Sequence, residues 1–441
     1  MFWVIMGAIV VLGLYMAWTV GANDAANSMA NAVGSRAISL KWAVVLCCIC
    51  ELAGAVLVGT HVTDTIREGI VNPAVLGDLC GLPEADAAAL FAVGMAAALL
   101  ASALWLHLAT WFGMPVSTTH AIVGGVAGFG IVAGGWSAVQ WGRMVGIVAS
   151  WFISPVAGGI MGFVLFKVTH RLVLANDRPA RAAIGFMPFI VFFSVSVVAI
   201  STFYKGLAHL IKGVAWLSGT NGILVGIGIG VVAAVVSRLL IAPRLRPYES
   251  APLPQQLERV ERVFSPLVVI TACTIAFAHG ANDVANAVGP LAAVADIMQS
   301  GTLKLKDYVP LWVLGLGGVG IVLGVSTFGY RVMRTMGEEI TQLTPSRGVC
   351  AAVAACTTVL VCTKMGLPIS TTHTAVGAIV GIGLARGLAA VNRNVLKNVF
   401  TSWLITVPAS AVLAVVLFLI GRALVLGHVL DVVRAAGGRG P

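Results

Sequence analysis

The sequence predicts an all-α polytopic membrane protein of about twelve membrane segments. Two inverted repeats of five are expected, with two extra spans between them. Three observations carry this expectation. First, the 441 residues are 59% hydrophobic and only 10% charged, with mean hydropathy +0.98. Apolar runs of about 20 residues, the length that crosses a bilayer as a helix, recur from end to end. The strands of a membrane barrel would alternate apolar and polar residues instead. Second, three landmarks occur twice in the same order, which marks an internal duplication. Third, seven segments precede the second copy. An odd number makes that copy enter the membrane from the opposite side.

Taken in order, the first span covers about Phe2–Val20 and runs into Gly21-Ala22-Asn23-Asp24-Ala25-Ala26-Asn27. Met1 leads almost directly into it, so it is read as an inserting span rather than a cleavable signal. Arg36 and Lys41 follow with no acid between them, which by the positive-inside rule marks a cytoplasmic loop and places the N-terminus outside. The next spans are about Trp42–Gly59 and Ala87–Trp111, separated by an acid-rich loop (61–86). Then comes Pro115-Val116-Ser117-Thr118-Thr119-His120, followed by a span at about Trp141–Val168 containing Ser150-Trp151 and Pro155. These make the first repeat, 1–168. Two intervening spans lie within 184–241, and a polar linker at 242–263 is expected on the cytoplasmic side.

The pattern then restarts. A span at about Phe264–Ala278 leads into Gly280-Ala281-Asn282-Asp283-Val284-Ala285-Asn286. Further spans at about Val309–Tyr330 and Arg347–Lys364 precede Pro368-Ile369-Ser370-Thr371-Thr372-His373. The last span, about Val395–Ile420, holds Ser402-Trp403 and Pro408 and closes the second repeat, 264–420. A polar tail, 421–441, is expected beyond it. The two Ser-Thr-Thr copies lie 253 residues apart, and eight of the fourteen positions 115–128 and 368–381 are identical.

The formal charge of +10 does not point to nucleic acid, because the basic residues sit mostly in loops and at span ends, where a membrane protein puts them. The eight cysteines show no metal-binding spacing, and Cys47, Cys48, Cys50, Cys273, Cys350, Cys356 and Cys362 lie within apolar runs, as small core or lipid-phase residues do.

A polar plug inside membrane-grade sequence needs a reason. Proline at a helix start leaves backbone N–H groups free beyond it, and Ser or Thr caps them. Three consecutive hydroxyls at the positive end of a helix form a cradle for an anion. Isolated, such a triplet is more often a simple cap. Paired and inverted, with proline and histidine in register, it reads as a two-sided site for a tetrahedral oxyanion: Ser117, Thr118 and Thr119 from one side, Ser370, Thr371 and Thr372 from the other. A carboxylate at membrane depth is costly and usually has a partner or a role. Asn23, Asp24, Asn27, Asn282, Asp283 and Asn286 therefore read as hard-oxygen sites for Na⁺, or for a proton on the carboxylate. Glu51, mid-span and without an acidic counterpart, is a further candidate. His120 and His373 are read as supporting groups behind the hydroxyls; His107 and His279 as interfacial or structural. Ser117 and His120 could face one another as a nucleophile and base, but an enzyme needs one asymmetric site and both are duplicated. A passive anion channel is the other class considered.

The doubled Gly-Ala-Asn-Asp and Pro-(Val/Ile)-Ser-Thr-Thr-His motifs resemble the inorganic phosphate transporter (Pit) family of secondary carriers over nearly the whole chain. The resemblance implies twelve segments in an inverted-repeat arrangement, often as a homodimer in the cell membrane. It also implies phosphate cotransported with Na⁺ or H⁺, without a cofactor. Metal–phosphate complexes are carried by some members and sulfate by some relatives. Carried over by motif, the Ser-Thr-Thr residues bind phosphate, the Asn-Asp residues belong to the cation sites, and Glu51 matches a family acid. Ala352 departs from the pattern, standing where many members have Glu.

Overall fold

The computed structural model of the protein describes residues 1–58, 69–73, 75, 81–201, 219–305, 309–364 and 369–437. Pro368 and most of the expected acid-rich loop lie outside them. Among the described residues there is no sheet; one isolated bridge joins Val71 to Val139. The α-helices are α1 (Phe2–Gly34), α2 (Leu40–Val58), α3 (Glu84–Trp111), α4 (Thr118–Gly134), α5 (Trp141–Thr169), α6 (Pro179–Ser201) and α7 (Thr220–Leu245). They continue with α8 (Leu253–Ser300), α9 (Leu311–Thr327), α10 (Gly329–Arg334), α11 (Pro345–Lys364), α12 (Thr371–Arg386), α13 (Arg393–Leu424) and α14 (Leu426–Gly437). Among the described residues, seven helices are long and apolar enough to cross a membrane, or up to eight if the pair bent by 62° between Thr327 and Gly329 counts as one span. The protein is a polytopic helical membrane protein.

Several boundaries differ from the sequence reading, each for a physical reason. The Gly-Ala-Asn-Asp motifs do not end their spans. Instead α1 and α8 run straight through them, to Gly34 and Ser300. Glycine and asparagine normally weaken a helix, but here the missing side chains let helices cross at contact distance. A Cβ on Gly21 would lie 2.0 Å from the carbonyl oxygen of Ile321, and one on Gly280 would lie 2.1 Å from that of Glu51. The expected linker 242–263 is mostly helical. It narrows to a few residues between a 3₁₀ turn (Arg246–Tyr248) and α8. Prolines at the α8 N-terminus, where their missing N–H costs nothing, start that helix. The loop after α5 is largely a π-turn (His170–Leu174) running up to α6. The C-terminal stretch is not simply polar: α14 buries Val429, Val432 and Val433, and its Arg434 pairs with Asp86 at 2.9 Å.

Packing crosses between the two sequence repeats. Helix α12 lies against α5, where a Cβ on Gly377 would come within 2.2 Å of the Pro155 carbonyl and one on Gly381 within 2.0 Å of that of Gly159. Helix α4 lies against α13, where Gly124 and Gly128 face the carbonyls of Val407 and Ala411. Each Ser-Thr-Thr helix is thus clasped by the Ser-Trp helix of the other repeat. Both clasping helices carry a proline mid-span, Pro155 and Pro408.

Candidate functional site

Both hydroxyl triplets start helices as the sequence predicts. Ser117 caps α4 and Ser370 caps α12. Each side-chain oxygen accepts from the backbone N–H of the histidine three residues on, at 3.3 and 3.2 Å. The threonines look outward from the cap: Thr118 and Thr372 meet residues of the other repeat, and Thr371 meets Asp283 of its own. Asn27 Nδ2 donates to Thr372 Oγ1 at 2.8 Å, and Asn286 Nδ2 to Thr118 Oγ1 at 3.0 Å. Thr372 donates to Asp24 Oδ1, and Thr371 to Asp283 Oδ2, both at 3.3 Å. Asp24, Asp283, Asn27, Asn286, Ser117, Thr118, Ser370 and Thr372 are all buried.

Asn23 takes a different place from its motif neighbours. Its amide donates to Thr110 Oγ1 (2.9 Å) and the Met114 carbonyl (3.1 Å), and its oxygen accepts from the Val116 N–H (3.1 Å). Both ends are thus spent holding the extended turn that leads to Ser117. Asn282 is partly buried and donates to Asp283 Oδ1 at 3.2 Å. Thr119 accepts a longer bond from Asn286, at 3.4 Å.

His279, expected from the sequence to be interfacial or structural, lies among the buried carboxylates. It stands one place before Gly280, where the first repeat has Val20, and four places before Asp283, so both face one side of α8. Its Nε2 contacts Asp283 Oδ2 and lies 3.8 Å from Asp24 Oδ2, while Nδ1 is 3.6 Å from Glu51 Oε1. One imidazole therefore touches three buried carboxylates. Ligand atoms of Asp24, His279 and Asp283 lie within 4.8 Å of one another. Asp24 Oδ2, Asn27 Oδ1 and Glu51 Oε2 are buried with no protein hydrogen-bond partner. Oxygen atoms gathered in this way suit a bound cation. Glu51 Oε1 also accepts from the Cys47 thiol at 3.3 Å.

His120 and His373 sit behind the caps in a column of four rings. His120 packs on Trp151 (centroids 3.9 Å apart) and edge-on against His373 (4.4 Å), which stacks on Trp403 (3.7 Å). His373 Nδ1 is 3.2 Å from the Trp151 carbonyl, and Trp403 Nε1 donates to the Pro115 carbonyl at 2.9 Å. The column ties both plugs to both Ser-Trp helices. His107 lies elsewhere, bonded to Tyr15 OH at 2.8 Å beside Trp18 and Phe328.

Hydroxyls, amides and carboxylates gathered inside apolar helices are the polar lining expected of a membrane carrier. Comparison with known proteins makes this specific. The profile of the phosphate transporter family matches residues 20–414, and the chain belongs to that family. It is similar to a putative phosphate permease of Pyrococcus abyssi, 44% identical over 92% of this chain and 96% of that protein. It is also similar to the chloroplastic inorganic phosphate transporter 2-1 of Arabidopsis thaliana, 39% identical over 93% and 71%. A solved structure described as the sodium-dependent phosphate transporter matches with TM-score 0.82 and 38% identity, over 96% of this chain and all of that one.

Proposed function

We propose that the protein imports inorganic phosphate across the cell membrane by symport with Na⁺ or H⁺, using alternating access between two inverted repeats of a twelve-segment fold. One observation supports this reading above the others: each Asn-Asp motif is hydrogen-bonded to the hydroxyl triplet of the opposite repeat, through Asn27 and Asp24 to Thr372 and through Asn286 to Thr118. In this reading the groups for the anion and for the cation stand against each other. A phosphate dianion carried toward the middle of a bilayer needs compensating charge, and the hydroxyl plugs contain no Lys or Arg. In this scheme Ser117, Thr118, Thr119, Ser370, Thr371 and Thr372 hold phosphate. Asp24, Asp283, Asn27, Asn286 and Glu51, with Asn282 alongside, serve the cation, and His279 joins them. Asn23 acts on the plug. His120 and His373 support the caps.

The carboxylates beside Thr371 and Thr372 favour phosphate over sulfate. HPO₄²⁻ still carries a proton to donate, and sulfate does not. The Asp24–His279–Asp283 group would also suit a divalent ion, so a metal–phosphate complex is the second reading for the carried species. A homodimer with its termini on the outer side completes the proposal. The test is phosphate uptake into proteoliposomes with Na⁺ and pH gradients imposed separately. Accumulation driven by one gradient and competed weakly by sulfate is the expected result. Accumulation without any gradient would exclude coupling.

A further inference from the structure

A second group of polar contacts lies away from the hydroxyl plugs, where α12 ends and α13 begins. The turn between them packs on the segment before α11: Asn392 N–H donates to the Ile340 carbonyl (3.0 Å), and Thr341 Oγ1 to the Ala390 carbonyl (2.7 Å). Two arginines from different helices converge there. Arg347 Nη1, from the first turn of α11, and Arg386 Nη1, from the last turn of α12, both donate to the carbonyl of Gln342 at 3.1 Å. Sharing one oxygen, these two nitrogens lie no more than about 6 Å apart, a separation at which like charges repel.

Among the described residues no carboxylate lies within 4.0 Å of either guanidinium. The neighbouring Glu261 has both oxygens committed to Ser346, at 2.8 Å to its N–H and 2.7 Å to its hydroxyl. Arg347 Nε is buried and has no hydrogen-bond partner. A pair of guanidiniums with no carboxylate in direct contact, and with an unspent donor, is an arrangement that grips a phosphoryl group.

The surroundings say which phosphoryl group. Helix α13 carries Arg393, Lys397, Phe400 and Leu404 at spacings of four, three and four, so they share one face. All four are exposed, Phe400 by 49% and Leu404 by 79%. The stripe is basic at the start of α13, seven residues after Arg386, and apolar further along the helix. That is the profile of a phospholipid: an anionic headgroup above, a hydrocarbon chain below.

We infer that Arg347 and Arg386, with Arg393 and Lys397 beside them, bind the headgroup of an anionic phospholipid whose acyl chain lies along Phe400 and Leu404. The site stands apart from the proposed transport site, so its failure would leave the transport reading untouched. The experiment is native mass spectrometry of the full-length protein in detergent, titrated with phosphatidylglycerol or phosphatidylcholine of matched chains. The wild type is expected to retain the anionic lipid about tenfold better than the zwitterionic one, and Arg386→Gln to lose about that factor. Arg386 is exposed, so this variant should fold, and Arg386→Lys should restore much of the binding. Equal retention of both lipids by the wild type would overturn the inference. So would unchanged selectivity in both Arg386→Gln and Arg347→Gln. Displacement of the lipid by millimolar inorganic phosphate would also overturn it, because the pocket would then be one for the free anion.

Discussion

Asn27→Ala is the most informative single change. The Asn27 amide donates to Thr372 Oγ1 at 2.8 Å and to Asp24 Oδ1 at 3.2 Å, and lies 3.4 Å from His279 Nε2. Alanine removes all three contacts while leaving the helix intact. Buried bonds to charged groups are worth roughly 1.5–3 kcal/mol in water-soluble proteins, but hydrogen bonds between membrane helices average only about 0.6 kcal/mol. Thr372 also keeps its bond to Asp24, which limits the damage. The loss should therefore fall at about 1–3 kcal/mol, or roughly five- to 150-fold in the specificity constant for uptake. The assay is initial-rate uptake of radiolabelled phosphate into proteoliposomes over a range of phosphate and cation concentrations. Because Asn27 joins the triplet to Asp24, phosphate and cation affinities should fall together. Uptake within twofold of wild type, with the protein monodisperse, would refute the idea that this amide couples the two groups.

His279→Ala leaves Asp24, Glu51 and Asp283 crowded without the imidazole between them, and should sharply lower uptake while the purified protein still runs as a single species; unchanged uptake would make His279 structural only. Gly381→Ala would drive a Cβ to about 2 Å from the Gly159 carbonyl, so the yield of monodisperse protein should collapse, whereas Gly185→Ala, with nothing within 4 Å, should behave as wild type. Trp403→Phe keeps a ring on His373 but loses the bond to the Pro115 carbonyl. A several-fold rise in KM for phosphate with little change in melting temperature is expected, and an unaltered KM would show that this bond does not position the plug. Ser117→Ala removes a helix cap worth about 1 kcal/mol, which a small drop in thermal stability would register.

Much of the site could be read from the chain because polar residues are conspicuous in an apolar background. Asp24, Asp283 and the two Ser-Thr-Thr triplets stand out by composition alone, and their repetition weighs against a chance cap. What the chain hid was context. Gly21 and Asn23 carry the local signs of a helix end, yet α1 continues past them because Ile321 and the turn before Ser117 supply tertiary partners that local propensity does not contain. His279 has no counterpart in the first repeat, so duplication, the main clue, was silent about it. The clue available was its spacing of four from Asp283. That Asn23 holds the turn before Ser117 depended on Thr110 and Met114 being nearby in space. Helix α14 was legible in principle: Val429, Val432 and Val433 share a face, but they sit among polar residues beyond the last long apolar run.

The crossed hydrogen bonds from Asn27 to Thr372 and from Asn286 to Thr118 have a consequence for ancestry. Neither half of the chain contains both members of either bonded pair. A forerunner of half this length could have worked only as a pair of molecules, each lending its asparagine to the other. Fusion of the two copies would have made that partnership permanent and let the copies diverge, as the single histidine at 279 already records.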